Sequence, residues 1–95
     1  MEGWQVKFSG HAVRRMFERS IRRPEVIAVL GSGEVIEDYP NDRPFPSQLL
    51  LGFAEGRPLH VAAARDQATR TVHVITAYEP DQLLWSDDYR KRRPS

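Results

Sequence analysis

The chain of 95 residues is long enough for one domain and too short for a second hydrophobic core. It has no cysteine, which excludes disulfides, zinc–thiolate sites and thiol nucleophiles. Its 14 basic and 13 acidic residues leave a net charge of +1, so only the distribution of charge can indicate a nucleic-acid partner. No apolar run approaches the ~20 residues of a membrane span, and Met1 to Gly10 is not a secretory signal. We therefore expect a cytoplasmic protein with one domain over residues 1–95 and no membrane association.

The first part of the chain predicts two helices. Gln5 to Phe8 forms a short strand or a lead-in, and Ser9 is suited to cap the first helix. The apolar residues that follow recur with helical spacing, at Ala12, Val13, Met16 and Phe17. Pro24 and Glu25 favour the first turn of a second helix. Its apolar side would consist of Val26, Ile27, Val29 and Leu30, before Gly31-Ser32-Gly33 ends it.

The second part predicts four strands joined by short loops. They are Glu34 to Tyr39, Gln48 to Ala54, Leu59 to Ala64 and Thr71 to Tyr78. Short connections favour antiparallel pairing, because a parallel pair needs a crossover of about a dozen residues or more. After Pro80 we expect a short C-terminal turn or helix that carries Trp85, and then a frayed basic tail at 90–95. The prediction is an α+β fold in which two N-terminal helices pack on a four-stranded antiparallel sheet, with strands in chain order.

The same periodicities predict the core. Its main members are expected to be Met16, Phe17, Val29, Leu30, Leu49, Leu51, Val61, Val74 and Ile75. A sheet that is covered on one side should bury only one of the adjacent pair Val74 and Ile75.

Charge is unevenly distributed along the chain. Ser9 to Arg23 carries five arginines and one glutamate, whereas Pro24 to Gly56 carries six acids and one arginine. The run from Arg90 to Arg93 is again entirely basic. Arginine outnumbers lysine 12 to 2, and the planar guanidinium suits phosphate better than an ammonium group does. This pattern indicates either a phosphate-binding surface or a compositional bias caused by high genomic GC content.

The first predicted helix carries one group of candidate site residues. His11 and Arg15 are neighbours opposite the apolar stripe, and Arg19 lies on the flank nearest that stripe. They form either an ordinary solvated helix face or a cationic patch beside a titratable imidazole.

The predicted strands carry a second group. His60 lies within a strand, and Arg57 and Tyr78 lie at or near strand ends. A ribonuclease that works without a metal needs a base, a cationic stabiliser and an acid within hydrogen-bond reach of one another, and these residue types supply all three. A histidine in a strand can equally be an edge or core residue. The histidines lack acidic partners at ligand spacing, and no glycine-rich phosphate loop is present, so we expect no metal and no other cofactor.

Several segments together resemble the DUF4258 family of small bacterial domains of unknown function. The first is Phe8-Ser9-x-His11-Ala12-x-x-Arg15-Met16-x-x-Arg19-x-Ile21, followed by Glu25-Val26. The middle segments are Gly33-Glu34-Val35-Ile36-Glu37-x-Tyr39-Pro40 and Pro46-Ser47-x-Leu49-Leu50-Leu51-Gly52. The last are Gly56-Arg57-Pro58-Leu59-His60-Val61 and Ile75-Thr76-Ala77-Tyr78-x-Pro80-Asp81-x-x-x-Trp85. The chain departs from the pattern at Ser20, where glycine is preferred, and at Ala62, where valine is usual.

This resemblance covers residues 8–93 and implies both a fold and a function. It implies an α+β domain similar to the RelE-like and BrnT-like ribonuclease toxins of bacterial toxin–antitoxin systems. It also implies a possible partner, a small antitoxin with a zinc-finger segment and a DNA-binding part. On this reading the catalytic candidates are His11, His60 and Tyr78. The candidates for binding RNA phosphate are Arg15, Arg19 and Arg57.

Three functions therefore compete. The first is a metal-independent endoribonuclease toxin that cleaves RNA by general acid–base chemistry. The second is a non-catalytic module that uses the same basic surface to bind RNA or an acidic protein. The third is a structural or interaction protein with no nucleic-acid role, whose arginines are compositional. Growth arrest on expression, relieved by substitution of a catalytic candidate, would separate the first from the others.

Overall fold

A computed structural model describes residues 3–94, which fold into two helices and a five-stranded sheet. The elements in chain order are β1 (Gln5–Phe8), α1 (Gly10–Glu18), α2 (Arg23–Ser32), β2 (Glu34–Tyr39), β3 (Ser47–Ala54), β4 (Arg57–Asp66) and β5 (Thr71–Tyr78). The sheet order is β1-β5-β4-β3-β2. No helix within this described range is long and apolar enough to cross a membrane.

The α+β class is confirmed, but the predicted four-stranded antiparallel sheet is wrong. β1 is a fifth strand, and it pairs in parallel with β5 through the register from Gln5–Thr71 to Phe8–Val74. The other three pairings are antiparallel, so the sheet is mixed. The chain between β1 and β5 includes both helices and the strands β2 to β4, so this pair has the long connection that parallel pairing requires. The prediction was wrong because it did not count β1 as a strand of the sheet.

The helix boundaries follow from local capping. Ser9 Oγ accepts a hydrogen bond from the backbone N–H of Ala12 at 3.0 Å and begins α1. The chain leaves α1 through Ser20, whose φ of 55° lies in the left-handed region that favours glycine. At the start of α2 the Glu25 carboxylate accepts from the backbone N–H of Arg22 at 2.8 Å.

The helices pack on one face of the sheet and bury the main core against it. This core includes Ala12, Met16, Ile21, Val26, Val29, Leu30, Leu50, Ala54, Leu59, Val61, Ala63, Val72, Val74 and Ala77. Two predicted core residues are wrong, because Phe17 is 86% exposed and Ile75 is 43% exposed. Phe17 follows Met16 in α1 but lies on the exposed side of the helix. Ile75 is the extra residue at a β-bulge, where Ala63 pairs with Val74 but Ala62 pairs with Thr76.

Adjacent residues of α1 provide a direct test of this packing. We expect Met16→Ala to lower the free energy of unfolding by about 2–5 kcal/mol, because it leaves a cavity under α1. Phe17→Ala removes a larger side chain from the same turn, yet we expect it to change stability by less than about 0.5 kcal/mol. Urea denaturation of both variants measures the difference. Equal losses would contradict this placement of α1.

The opposite face of the sheet, which we call the cleft face, is partly covered by the C-terminal segment. Residues after β5 turn back on themselves, so that Trp85 and Arg92 form a β-bridge and Arg93 N–H donates to the Leu84 carbonyl at 2.8 Å. Arg90 binds the Glu34 carboxylate at 2.8 Å. The prediction of a frayed tail is therefore wrong for Arg90 to Arg93, which make these specific contacts, and Ser95 lies outside the described residues.

Candidate active site on the cleft face

The pairing register places polar residues side by side on the cleft face. One row across the sheet joins Tyr78 of β5, His60 of β4 and Leu51 of β3. The next row on this face joins Thr76, Ala62, Leu49 and Glu37. Strand alternation thus brings Tyr78, His60 and Glu37 to one part of the sheet, under the C-terminal segment.

His60 is the buried centre of this site. It is 0% exposed, and the Trp85 ring packs edge-on against it with centroids 4.4 Å apart. Its Nε2 lies 2.8 Å from the Tyr89 carbonyl oxygen, and its Nδ1 lies 3.2 Å from the Tyr78 hydroxyl. Because a carbonyl only accepts, Nε2 must carry the proton in the neutral ring. Nδ1 then accepts a hydrogen bond from Tyr78, which leaves the lone pairs of the phenol oxygen available for other donors.

The surroundings keep both members of this pair neutral. Burial lowers the pKa of His60, against opposing contributions from the Tyr89 carbonyl and the Glu37 charge. Burial raises the pKa of Tyr78, and the negative charge of Glu37 raises it further. Near pH 7 the pair is therefore a phenol that donates to a neutral imidazole, and this imidazole can take a proton.

Glu37 reaches the cleft face through an irregularity in β2. Val35 pairs with Leu50 and Glu37 pairs with Leu49, so Ile36 is an extra residue at a β-bulge. The Tyr39 hydroxyl donates to Glu37 Oε1. This hydrogen bond to the carboxylate is the main cause that raises the pKa of Tyr39 to about 12, so Tyr39 stays protonated as a donor to Glu37.

Two arginines bring positive charge to the Tyr78–His60 pair. Arg19 comes from the end of α1 and donates to the Ala77 carbonyl oxygen at 3.0 Å. Arg92 comes from the C-terminal segment, and its guanidinium carbon lies 5.7 Å from the centroid of the Trp85 ring. Both line a cavity of about 490 Å³ together with Tyr78 and Trp85. An adjoining cavity of about 470 Å³ is lined by Tyr78 and Arg92 and also by Glu37 and Tyr39. The lining is of mixed charge, because Glu79 and Asp81 also line the first cavity and Glu37 lines the second; Arg19 and Arg92 are the groups that would face an anion there.

The structure separates the six residues that the sequence had grouped. Arg19, His60 and Tyr78 meet at this site, as described above. His11 lies on the exposed surface of α1 and lines neither cavity. Arg15 is on the same helix, and its guanidinium binds Glu18 at 3.1 Å.

Arg57 is held in a different, structural network. Its guanidinium donates to the Ser20 carbonyl at 2.8 Å and to the buried Glu25 carboxylate at 3.1 Å. The Arg22 backbone N–H, followed by the Arg57 side chain, holds the pKa of Glu25 below its usual value. Arg57 thus joins the turn after α1, the start of α2 and the first residue of β4, and it does not reach the two cavities.

Sequence reasoning did not single out Glu37, Tyr39, Trp85 or Arg92 as site residues. The first three lie within the segments that carried the family resemblance, which was the available signal. Arg92 was assigned to a frayed tail and had no such signal. Over residues 3–94 no three histidine, aspartate or glutamate side chains lie close enough to hold a metal ion.

One known family matches most of the chain. The family described as "Domain of unknown function (DUF4258)" matches residues 8–79, which include Arg19, Glu37, His60 and Tyr78. The chain belongs to the DUF4258 family. Trp85 and Arg92 lie beyond the matched part of this DUF4258 chain. Comparisons with curated proteins and with solved structures gave no match.

Proposed function

We propose that the protein is a metal-independent endoribonuclease whose active site is the cleft face. The observation that carries this proposal is that one cavity joins two arginines to the Tyr78–His60 pair. Cleavage of RNA by its own 2′-hydroxyl needs a base for that hydroxyl and cations for the phosphorane, and the site offers both.

The Tyr78 hydroxyl donates to His60 Nδ1, and this direction gives the path of the proton in the proposed reaction. Tyr78 accepts the proton of the 2′-hydroxyl while it passes its own proton to His60 Nδ1. The 2′-oxygen attacks phosphorus, the bond from phosphorus to the 5′-oxygen breaks, and a 2′,3′-cyclic phosphate forms. The leaving 5′-oxygen takes a proton from water. His60 then gives the proton on Nδ1 back to Tyr78, and Tyr78 releases a proton to water. The Glu37 charge favours the imidazolium, since it acts to raise the pKa of His60.

In this proposal Arg19 and Arg92 bind the phosphate. We expect Arg19→Ala or Arg92→Ala each to weaken binding of a 2′-O-methyl RNA, which cannot be cleaved. Each should also reduce the slope of log affinity against log salt by about 0.7, the value for one phosphate contact on a single strand. Fluorescence anisotropy over a salt series measures both effects.

Arg15→Ala and His11→Ala are the matched controls. Both residues lie on the exposed face of α1, and we expect neither change to alter the salt slope or the cleavage rate. Circular dichroism verifies that each variant is folded. If Arg15→Ala lowers the slope as much as Arg19→Ala does, RNA binds along α1 and the cleft-face site is wrong. Binding that responds to Arg19 and Arg92 without any RNA cleavage would identify a binding module instead.

We further propose that the protein is the toxin of a toxin–antitoxin pair. The support is the membership of the DUF4258 family, whose resemblance implies a domain similar to the RelE-like and BrnT-like toxins, the partners of which are small antitoxins. Expression should then arrest bacterial growth, and a Tyr78→Phe variant expressed at the same level should not.

A further inference from the structure

A third cavity opens on the cleft face beside the proposed active site. Its volume is about 360 Å³, within the usual range for small-molecule sites. It lies between the loop after β2 and the strand β5, and its lining includes Arg43, Phe45, Ser47, His73 and Ile75. None of these side chains has a role in the chemistry described above.

The cavity contains a pair of parallel aromatic rings. The Phe45 and His73 rings are inclined by only 2°, and their centroids are 5.4 Å apart. Parallel rings touch at a plane separation of about 3.5–4 Å, so this centroid distance means that the two rings are offset sideways. In an offset stack each ring covers part of one face of the other, so a further flat ring can join the stack only on the outer face of Phe45 or of His73; both residues are only half-buried. Ile75, 43% exposed because of the β5 bulge, lies beside them.

This cavity continues the line of the active site along the sheet. The row that contains His73 also joins Ala64, Ser47 and Tyr39, and Tyr39 is the residue that donates to Glu37. Along β4 the distance from His60 to Ala64 is about 13 Å, at 3.2–3.4 Å for each residue. A single-stranded RNA whose phosphate lies between Arg19 and Arg92 can therefore reach the ring pair with a nearby nucleotide.

We propose that the Phe45–His73 pair stacks one nucleobase of single-stranded RNA, on a nucleotide that lies farther along the sheet than the scissile phosphate. Flat ring surfaces bind bases of any sequence, because every base has a π-face. Arg43 is exposed at the rim of the cavity, and its guanidinium supplies donors for the edge of the base or its phosphate. The inference rests on the proposed RNA substrate and adds a base-binding subsite to it.

The test separates base contacts from phosphate contacts. The probes are a short 2′-O-methyl oligoadenylate and a 2′-O-methyl oligomer of equal length that is abasic throughout. For Phe45→Leu, which keeps apolar cover over the loop, we expect affinity for the oligoadenylate to fall by about 5- to 150-fold, the effect of losing one stacked base. Affinity for the abasic oligomer should stay unchanged. His73→Ala should also lower affinity for the oligoadenylate and leave affinity for the abasic oligomer unchanged. Phe45→Trp keeps an aromatic ring at this position, so it should bind the oligoadenylate about as well as the wild type does.

Phe17→Leu is the matched control, because Phe17 is an exposed phenylalanine on α1 and lines none of these cavities. It should leave both affinities unchanged. Equal losses for the two probes in Phe45→Leu, or no loss for either, would overturn the subsite. Since neither probe can be cleaved, these outcomes do not depend on the proposed reaction. If binding depends on the bases but ordinary RNA is not cleaved, the ribonuclease proposal is wrong and the base-binding subsite remains supported.

Discussion

Tyr78→Phe is expected to reduce RNA cleavage by about 10²–10⁴-fold, the range for loss of a general acid–base group. The substitution removes the hydroxyl that links the cavity to His60 Nδ1 and leaves the ring in place. Binding of 2′-O-methyl RNA should be nearly unchanged, because the arginines that bind phosphate remain. Gel assays of cleavage and anisotropy measurements of binding distinguish the two effects.

Tyr89→Phe is a matched control for this prediction. His60 contacts Tyr89 through the backbone carbonyl, which the substitution retains. Cleavage should therefore persist in this variant.

In the wild type, cleavage should decline as the pH falls through the pKa of His60, which burial places below the ordinary value of 6.5. Full activity of Tyr78→Phe would exclude the proposed proton path.

Trp85→Ala should destabilise the fold by about 3–5 kcal/mol, the usual cost of truncating a buried tryptophan. The Trp85 ring packs edge-on against His60, and Trp85 also forms the bridge to Arg92. Leu83→Ala, in the same segment but at an 84% exposed position, should change stability by less than about 0.5 kcal/mol. Urea denaturation provides both values. Similar effects of the two substitutions would mean that the C-terminal segment does not pack on the sheet.

The pH dependence of stability gives a second readout of Trp85→Ala. Because the folded protein holds the pKa of His60 low, the unfolded chain takes up this proton first, and wild-type stability falls as the pH drops below about 6.5. In Trp85→Ala water reaches His60, so its pKa should return towards the ordinary value. The loss of stability on acidification should then become shallower.

The helices and the last four strands were predictable because each has a periodic face that must be buried. Ser9, Pro24 and Gly33 indicated the helix boundaries, and the strands followed from alternation between short loops. β1 has only four residues, too few for alternation to indicate a partner. Its pairing with β5 depends on where the helices return the chain, which local sequence does not specify.

The candidate site was only partly predictable, and the two bulges explain most of the difference. Regular alternation places Glu34 and Glu37 on opposite faces of β2, but the bulge at Ile36 puts both on the cleft face. The bulge in β5 likewise turns Ile75 away from the helices. Helix-wheel reasoning placed His11 and Arg15 correctly on an exposed face of α1. A helical wheel does not show which part of the sheet lies near the C-terminal end of α1. The site lies there, and of the three candidates on α1 only Arg19 reaches it.

The parallel pairing of β1 with β5 also affects how the chain can fold. Gln5 pairs with Thr71, so forming this contact closes a large loop that spans most of the chain length. Such non-local pairing raises the contact order and slows folding, whereas the hairpins from β2 to β5 can form from neighbouring residues. We therefore expect the antiparallel strands to associate before β1 joins the sheet. During synthesis β1 emerges first but has no partner until β5 has been made, so its backbone hydrogen-bonding groups stay unpaired through most of translation.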